Sequence, residues 1–339
     1  MRKRRGSGKP TITDVAELAG VSAITVSRTL RTPSQVSEAT RKKVTDAVAE
    51  LDYRPDPAAV ALASSQSTLI GVLIPSVTNS VFSDVMRGMH HIVDSTRFSI
   101  QFANTRYDPE TELKLLRQFL AQRPAGLIVT GRDLAPQLRA ELAQANCPVV
   151  QIMELDALPI GDCVGFDHAD AARLAASHLI AAGYTKIGYL GAREDARSQE
   201  RLAAFSQHLQ AQGLYAQDRM IPAKDPASIG LGRHLAAQLF DEGPACDAIL
   251  CNNDLIAVGA LFECQHRAIR VGPEFGICGF NDIEMMAQCV TPITSIITPR
   301  EAVGAQAVTR ILARVEDPDL PPVTQDLGVQ LIARASTAR

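Results

Sequence analysis

Beyond residue 68, short apolar runs alternate with segments of helical periodicity, and this alternation restricts the fold more than any other feature. One set of runs lies at 69–75, 98–102, 126–129 and 148–152, with helical segments such as 81–94 and 110–122 between the runs. A second set lies at 186–190, 248–251 and 275–280. Strands that alternate with helices form parallel sheets covered on both faces. The predicted fold class is α/β, with two doubly wound parallel sheets in two lobes that face each other across a cleft.

Polar side chains follow many of these strands, and ligands of open α/β sheets bind beyond the carboxyl ends of the strands. The candidate ligand-binding residues are Ser76, Asn79, Phe82, Arg132, Glu154, Arg193, Asp195, Arg197, Arg201, Asn253, Asp254 and Asn281. The three arginines between positions 193 and 201 would suit an anion, because guanidinium groups bind carboxylate or phosphate through paired hydrogen bonds. The alternative is a solvated, charged helix face, and the spacing alone does not exclude it.

The charges of the chain are unevenly distributed. Residues 1–54 carry 11 basic and 6 acidic side chains, whereas the remainder carries 23 basic and 31 acidic side chains. A basic N-terminal segment on an acidic body favours a module that contacts phosphates, since neutralising DNA charge releases condensed counterions. The alternative that the charge count leaves open is a solvated basic tail, Arg2 to Arg5.

The basic segment also has the pattern of a helix-turn-helix. Residues 11–19 predict a short helix that ends at Gly20, and Ser22 is a suitable N-cap for a second helix, 23–30, with Val26 and Leu30 facing inward. A third helix from residue 36 completes the three-helix core by Tyr53.

In such a module the second helix lies in the major groove of DNA. We assign base contacts to Ala23, Ile24 and Arg28. The short hydroxyl side chains are assigned mainly to phosphates, and they are Thr13, Ser22, Thr25 and Ser27. In the alternative interpretation Ala23 and Ile24 only pack within a small helical domain. This does not explain why an apolar pair would be exposed on a basic surface.

These residues carry a family resemblance. The pattern Asp14-Val15-Ala16, Gly20-Val21-Ser22, Thr25-Val26-Ser27-Arg28, Val36-Ser37 and Tyr53 resembles the DNA-binding head of the LacI/GalR family of repressors. The resemblance continues through the body, in Cys251-Asn252-Asn253-Asp254 and in residues 276–282. It implies a periplasmic-binding-protein-like body, an effector-binding arginine at Arg201, and a palindromic double-stranded operator bound by a homodimer.

The resemblance also implies a hinge helix after Tyr53 that contacts the minor groove through Ala59 and Leu62. An apolar side chain such as Leu62 can wedge between base pairs and kink the duplex. Family members often have Asn-Arg where this chain has Asp56-Pro57, so the usual minor-groove contacts of that arginine are absent here.

Within the family, residues 75–82, 165–167, 190–197, 262–265 and 297–301 are most similar to repressors of gluconate operons. This similarity implies gluconate or a related sugar acid as the effector. Asn281 replaces an aspartate that commonly binds sugar hydroxyls, which removes a negative charge unfavourable to a carboxylate ligand. A neutral sugar, another metabolite, or a ligand that acts as a corepressor are the alternatives left open.

The expected domains are a basic arm (1–10), a helix-turn-helix head (11–55) and a hinge with linker (56–67), followed by an N-lobe (68–165 with 295–322) and a C-lobe (166–294 with 323–335). No catalytic, nucleotide-binding or metal motif is present in the sequence, so an enzyme, a metal site and a cofactor are not expected. A signal peptide and a membrane span are absent as well, which argues against an exported solute-binding protein and predicts a cytoplasmic, nucleoid-associated protein. The seven cysteines are expected to be reduced.

Overall fold

A computed structural model describes residues 10–31, 33–54, 67–243 and 245–339, and the chain divides into two compact units, Met1–Ser67 and Thr68–Arg339. The first unit, the head, contains helices α1 (Ile12–Ala19), α2 (Ala23–Arg31) and α3 (Glu38–Glu50), with a 3-10 turn at Pro33–Gln35. Gly20 ends α1 in the left-handed conformation, with φ at 65°. Ser22 Oγ accepts a hydrogen bond from the Thr25 backbone N–H at 3.2 Å and caps α2.

The head encloses a small apolar core formed by Val15, Ala16, Ala19, Val26, Val44 and Ala47. The predicted helix-turn-helix is therefore confirmed, but the inward position of Leu30 is wrong. Leu30 is 41% exposed, whereas Thr29 is buried and donates its hydroxyl hydrogen to the Thr25 carbonyl at 2.8 Å. A threonine hydroxyl satisfied by the helix backbone can occupy an interior position in place of an apolar side chain.

The second unit, the body, contains two six-stranded sheets. The N-lobe sheet has the spatial order β2-β1-β3-β4-β5-β11 with all strands parallel, and these strands are β1 (Leu69–Ile74), β2 (Ser99–Asn104), β3 (Gly126–Thr130), β4 (Val149–Glu154), β5 (Asp162–Phe166) and β11 (Thr324–Asp326). The C-lobe sheet has the order β7-β6-β8-β9-β10-β12, in which only β12 is antiparallel, and these strands are β6 (Ile187–Leu190), β7 (Met220–Ile221), β8 (Ala248–Cys251), β9 (Gly276–Asn281), β10 (Thr294–Ile297) and β12 (Gln330–Ile332).

Helices cover these sheets as predicted for doubly wound folds. In the N-lobe they are α4 (Ser80–Val93), α5 (Pro109–Ala121), α6 (Pro136–Ala143) and α12 (Arg300–Glu316). In the C-lobe they are α7 (His168–Ala181), α8 (Ala196–Ala211), α9 (Ile229–Asp241), α10 (Asp254–His266) and the short α11 (Met285–Gln288), with 3-10 turns at Gln217–Arg219 and Ala335–Thr337. Helices α4 and α12 pack so closely that a Cβ on Gly304 would lie 2.0 Å from the Val85 carbonyl oxygen.

Two short segments lie in the opposite lobe from the predicted one. Strand β10 was expected in the N-lobe with residues 295–322, but it pairs with β9 of the C-lobe. Strand β11 was expected in the C-lobe with residues 323–335, but it pairs with β5 of the N-lobe. The pairing partner of a short strand depends on long-range packing, which a local apolar pattern does not encode.

All seven cysteines are free, and four of them are buried. Among the described residues, no helix is both long enough and apolar enough to cross a bilayer.

Candidate functional site

The exposed surface of α2 carries the predicted DNA-contacting residues. Ile24 is 72% exposed at the first turn of α2, and Thr13, Ser22 and Arg28 are exposed as well. Ala23, Thr25 and Ser27 are half-buried, and Ala23 packs against the head core, so it is partly the packing residue that the alternative reading supposed. The two hinge assignments, Ala59 and Leu62, lie outside the described residues.

A second candidate site is a cavity of about 490 Å³ between the carboxyl ends of the two sheets of the body. The order of strands reverses beside β1 in the N-lobe sheet and beside β6 in the C-lobe sheet, and such switch points open a crevice for ligands. Nine of the twelve predicted ligand-binding residues line this cavity, and they are Ser76, Asn79, Phe82, Arg193, Asp195, Arg197, Arg201, Asn253 and Asn281. This cavity is called the cleft below.

The first turns of four helices, α4, α7, α8 and α10, contribute residues to the cleft. Three of these helices are capped by predicted site residues. The side chain of Asn79 accepts from Val81 N at 3.1 Å, that of Asp195 from Ser198 N at 2.9 Å, and that of Asn253 from Leu255 N at 2.9 Å. Helix N-termini carry partial positive charge, so their convergence favours an anionic ligand.

Arg201 is a buried cation without an anionic partner among the described residues. Its guanidinium donates to His168 Nδ1 at 2.9 Å and to Ser198 Oγ at 3.3 Å, and it lies 4.5 Å from the centre of the Phe280 ring. Its Nε has no hydrogen-bond acceptor within the protein. Burial, reinforced by the nearby Arg201 charge, lowers the pKa of His168 well below its usual value, so the imidazole is neutral and accepts this hydrogen bond.

Five charged side chains in the cleft wall and behind it alternate in sign across the two lobes, and they are Glu200, Arg132, Glu154, Arg197 and Asp195. The links between nitrogen and oxygen atoms are 2.7 Å for Arg132–Glu200, 3.7 Å for Arg132–Glu154, 3.5 Å for Arg197–Glu154 and 3.0 Å for Arg197–Asp195. Arg132 and Glu154 belong to the N-lobe and the other three residues to the C-lobe. Burial raises the pKa of Glu154 despite both arginines.

Arg132 and Glu154 therefore do not line the cleft, but Glu154 pairs with the lining residue Arg197, and Arg132 pairs with Glu154. The burial of Arg197 and Arg201 excludes the solvated-helix reading for these two residues, since both side chains point into the protein.

Asp254 does not line the cleft, in contrast to its sequence assignment. Its carboxylate is buried beneath the chain that follows β9, where it accepts hydrogen bonds from Ile283 N and Ser295 Oγ, each at 2.8 Å. Burial raises its pKa to about 7. Asp254 is therefore a structural residue that holds the loop after β9.

The sequence assignment missed six polar residues of the cleft, and they are Thr78, Ser80, Tyr107, His168, Ser198 and Asn252. Asn252 fixes the loop after β6, because its amide exchanges hydrogen bonds of 3.0 and 2.8 Å with the backbone of Ala192. Asn252 directly follows β8, and His168 is the second residue after β5. The rule that ligands bind beyond the carboxyl ends of parallel strands, which selected Asn253, therefore applies to both residues. Tyr107 lies in a tight turn whose geometry gives no sequence signal.

Comparison with known proteins supports the fold of each unit. Residues 11–56 match the model of bacterial regulatory proteins of the lacI family, and residues 176–337 match a periplasmic binding protein-like domain. The HTH-type transcriptional regulator GntR of Pseudomonas aeruginosa is 37% identical over 336 residues, covering 99% of this chain and 98% of the relative. The chain belongs to the LacI family of transcriptional regulators. It is a DNA-binding regulator with a helix-turn-helix head, and its relatives are named as regulators rather than enzymes.

Other LacI-family proteins agree with this assignment. The HTH-type transcriptional regulator GntR of Escherichia coli K12 is 37% identical over 331 residues and covers 98% of both chains. The crystal structure of the lac repressor dimer bound to operator and the anti-inducer ONPF has a TM-score of 0.85 at 30% identity, over 98% of this chain and all of that chain. The crystal structure of the transcription regulator GntR from Chromobacterium violaceum has a TM-score of 0.75 at 34% identity, over 79% of this chain and 99% of that chain.

Proposed function

We propose that this LacI-family protein is a repressor that binds a palindromic operator as a homodimer and is released by a small sugar acid, gluconate or a close analogue. In this proposal α2 enters the major groove and places Ile24 and Arg28 on base edges, while the hydroxyl side chains around it contact phosphates. The relatives named GntR support the choice of effector class. The genes controlled would serve the uptake and catabolism of that sugar acid.

The single observation that carries the effector class is the unpaired charge of Arg201. A buried guanidinium without an anion is costly, and a ligand carboxylate would supply the missing partner. The cleft lining contains three arginines and one acidic residue, Asp195, so an anion is favoured over a neutral sugar. The neutral Asn281 is consistent with a ligand that bears a carboxylate.

Ligand control of DNA binding would follow from linkage. A ligand that contacts both lobes favours one relative arrangement of the lobes, and the operator favours another, so each weakens the binding of the other. Residues of both lobes, among them Asn79 and Arg201, line the cleft and are placed to sense such a change.

Calorimetric titration with gluconate, 2-ketogluconate, 6-phosphogluconate and glucose tests the proposal. We expect a sugar acid to bind the wild-type protein and Arg201→Gln to weaken it roughly 30-fold or more, the loss typical of breaking a buried charge pair. Arg139→Gln is the matched control. Arg139 does not line the cleft and pairs with Asp156 at a nitrogen–oxygen distance of 3.3 Å, so this substitution should leave the affinity for the sugar acid unchanged. Binding of glucose alone, or equal affinity in the Arg201 variant, would contradict the proposed effector class.

A further inference from the structure

The turn between β2 and α5 has an unusual backbone. Arg106 and Tyr107 are consecutive left-handed residues, with φ of 56° and 57°, in a turn closed by the Asp108 N–H to Thr105 carbonyl hydrogen bond of 3.0 Å. Asparagine and glycine usually fill such turns, because the left-handed conformation is unfavourable for other residues. Strained residues of this kind concentrate at ligand clamps and switch regions.

The strained turn places the Tyr107 ring against the other lobe. The Arg193 guanidinium carbon lies 3.8 Å from the centre of this ring, so the two residues form a cation–π contact from N-lobe to C-lobe. Arg193 itself has a left-handed φ of 49°, and its backbone N–H donates to the Asp225 carbonyl at 2.8 Å. Both sides of the contact are therefore held by constrained backbone.

The position of this pair relates it to ligand access. Tyr107 and Arg193 both line the cleft, and both are half-buried, whereas Arg201 is buried. The pair therefore lies nearer the solvent than the unpaired cation. Arg193 takes part in none of the ion pairs of the described residues. Its guanidinium can therefore leave the Tyr107 ring and bind an anionic ligand that enters the cleft.

We propose that Tyr107 and Arg193 form a gate across the solvent side of the cleft, which opens to admit the ligand and slows its release. The identity of the ligand in this proposal rests on the proposed function, whereas the contact between Tyr107 and Arg193 does not. A cation–π contact contributes about 0.5–2 kcal/mol. This energy is small enough for the contact to break thermally and large enough to favour the closed form of the cleft.

Release kinetics test the gate. We expect Tyr107→Leu to increase the dissociation rate of gluconate roughly 2- to 30-fold, the factor that corresponds to the lost contact. Tyr107→Phe keeps the ring and should leave the dissociation rate close to that of the wild type. If gluconate binds and Tyr107→Leu releases it at the wild-type rate, the gate is wrong and the proposed function stands.

A second measurement does not need the ligand. The chain contains no tryptophan, so Tyr107→Trp introduces a single tryptophan at the gate, whose emission can be excited selectively over that of the remaining tyrosines. Adding Arg193→Ala should at least double the quenching of this tryptophan by acrylamide, because one face of the ring is uncovered. Arg270→Ala, which removes an exposed arginine paired with Glu274, should not change it. Failure of gluconate to bind would overturn the proposed effector, and unchanged quenching in the Arg193 variant would overturn the gate.

Discussion

Replacing Ile24 with glutamate is expected to weaken DNA binding by at least about 100-fold without loss of helical content. Ile24 is 72% exposed on α2, so the head does not need it for folding. A carboxylate at this position would face the negative charge of DNA and remove an apolar contact to the groove, and like charges at an interface cost several kcal/mol. The measurement is the dissociation constant at one fixed salt concentration, on DNA fragments selected from a random pool by the wild-type protein.

Ala49→Glu provides the control for Ile24→Glu. Ala49 is exposed on α3 of the same head, so this substitution adds the same charge away from α2. It should reduce affinity only slightly, through the lower net charge of the head. Equal losses in the two variants would show that α2 does not read the operator.

Replacing Asp162 with asparagine is expected to lower the free energy of unfolding of the body by about 3–5 kcal/mol. Asp162 is fully buried at the start of β5, and its carboxylate pairs with Arg310 at 2.7 Å and with Arg314 at 3.4 Å, both on α12. It also accepts from Val323 N at 3.0 Å, just before β11. The neutral side chain would leave two largely buried guanidinium groups unpaired, and it would loosen α12 and β11 from the N-lobe sheet.

Urea denaturation monitored by circular dichroism measures this effect. Glu141→Gln is the matched control. It breaks an ion pair on the N-lobe surface, in which a guanidinium nitrogen of Arg117 lies 2.6 Å from a carboxylate oxygen of Glu141. Exposed ion pairs contribute about 0–1 kcal/mol, so the control should shift the denaturation midpoint little. Equal shifts in the two variants would contradict the structural role of Asp162.

The sequence was sufficient to predict the parts of the molecule that depend on local pattern. The helix-turn-helix was predictable because Gly20 and Ser22 mark the turn, and the cleft was predictable because loops after parallel strands meet at one edge of each sheet. Ser76, Arg193 and Asn253 all lie where this rule places them.

Features that depend on long-range packing were not predictable. Asp254 follows a strand like Asn253, but only the fold shows that its carboxylate lies beneath the loop after β9. The pairing of β10 and β11 depends on where the chain crosses between lobes. Tyr107 reaches the cleft because two non-glycine residues adopt the left-handed conformation, which residue identity disfavours rather than predicts.

The affinity for DNA shows directly whether a sugar acid bound in the cleft controls the head. The measurement compares the affinity for the selected DNA fragment with and without saturating gluconate, at one salt concentration, for the wild-type protein and Arg201→Gln. We expect gluconate to weaken DNA binding by the wild type at least about fivefold, the lower range of allosteric coupling, and the variant to bind DNA equally with and without gluconate. Stronger DNA binding with gluconate, or an unchanged affinity of the wild type while gluconate is bound, would contradict release of the operator by a sugar acid.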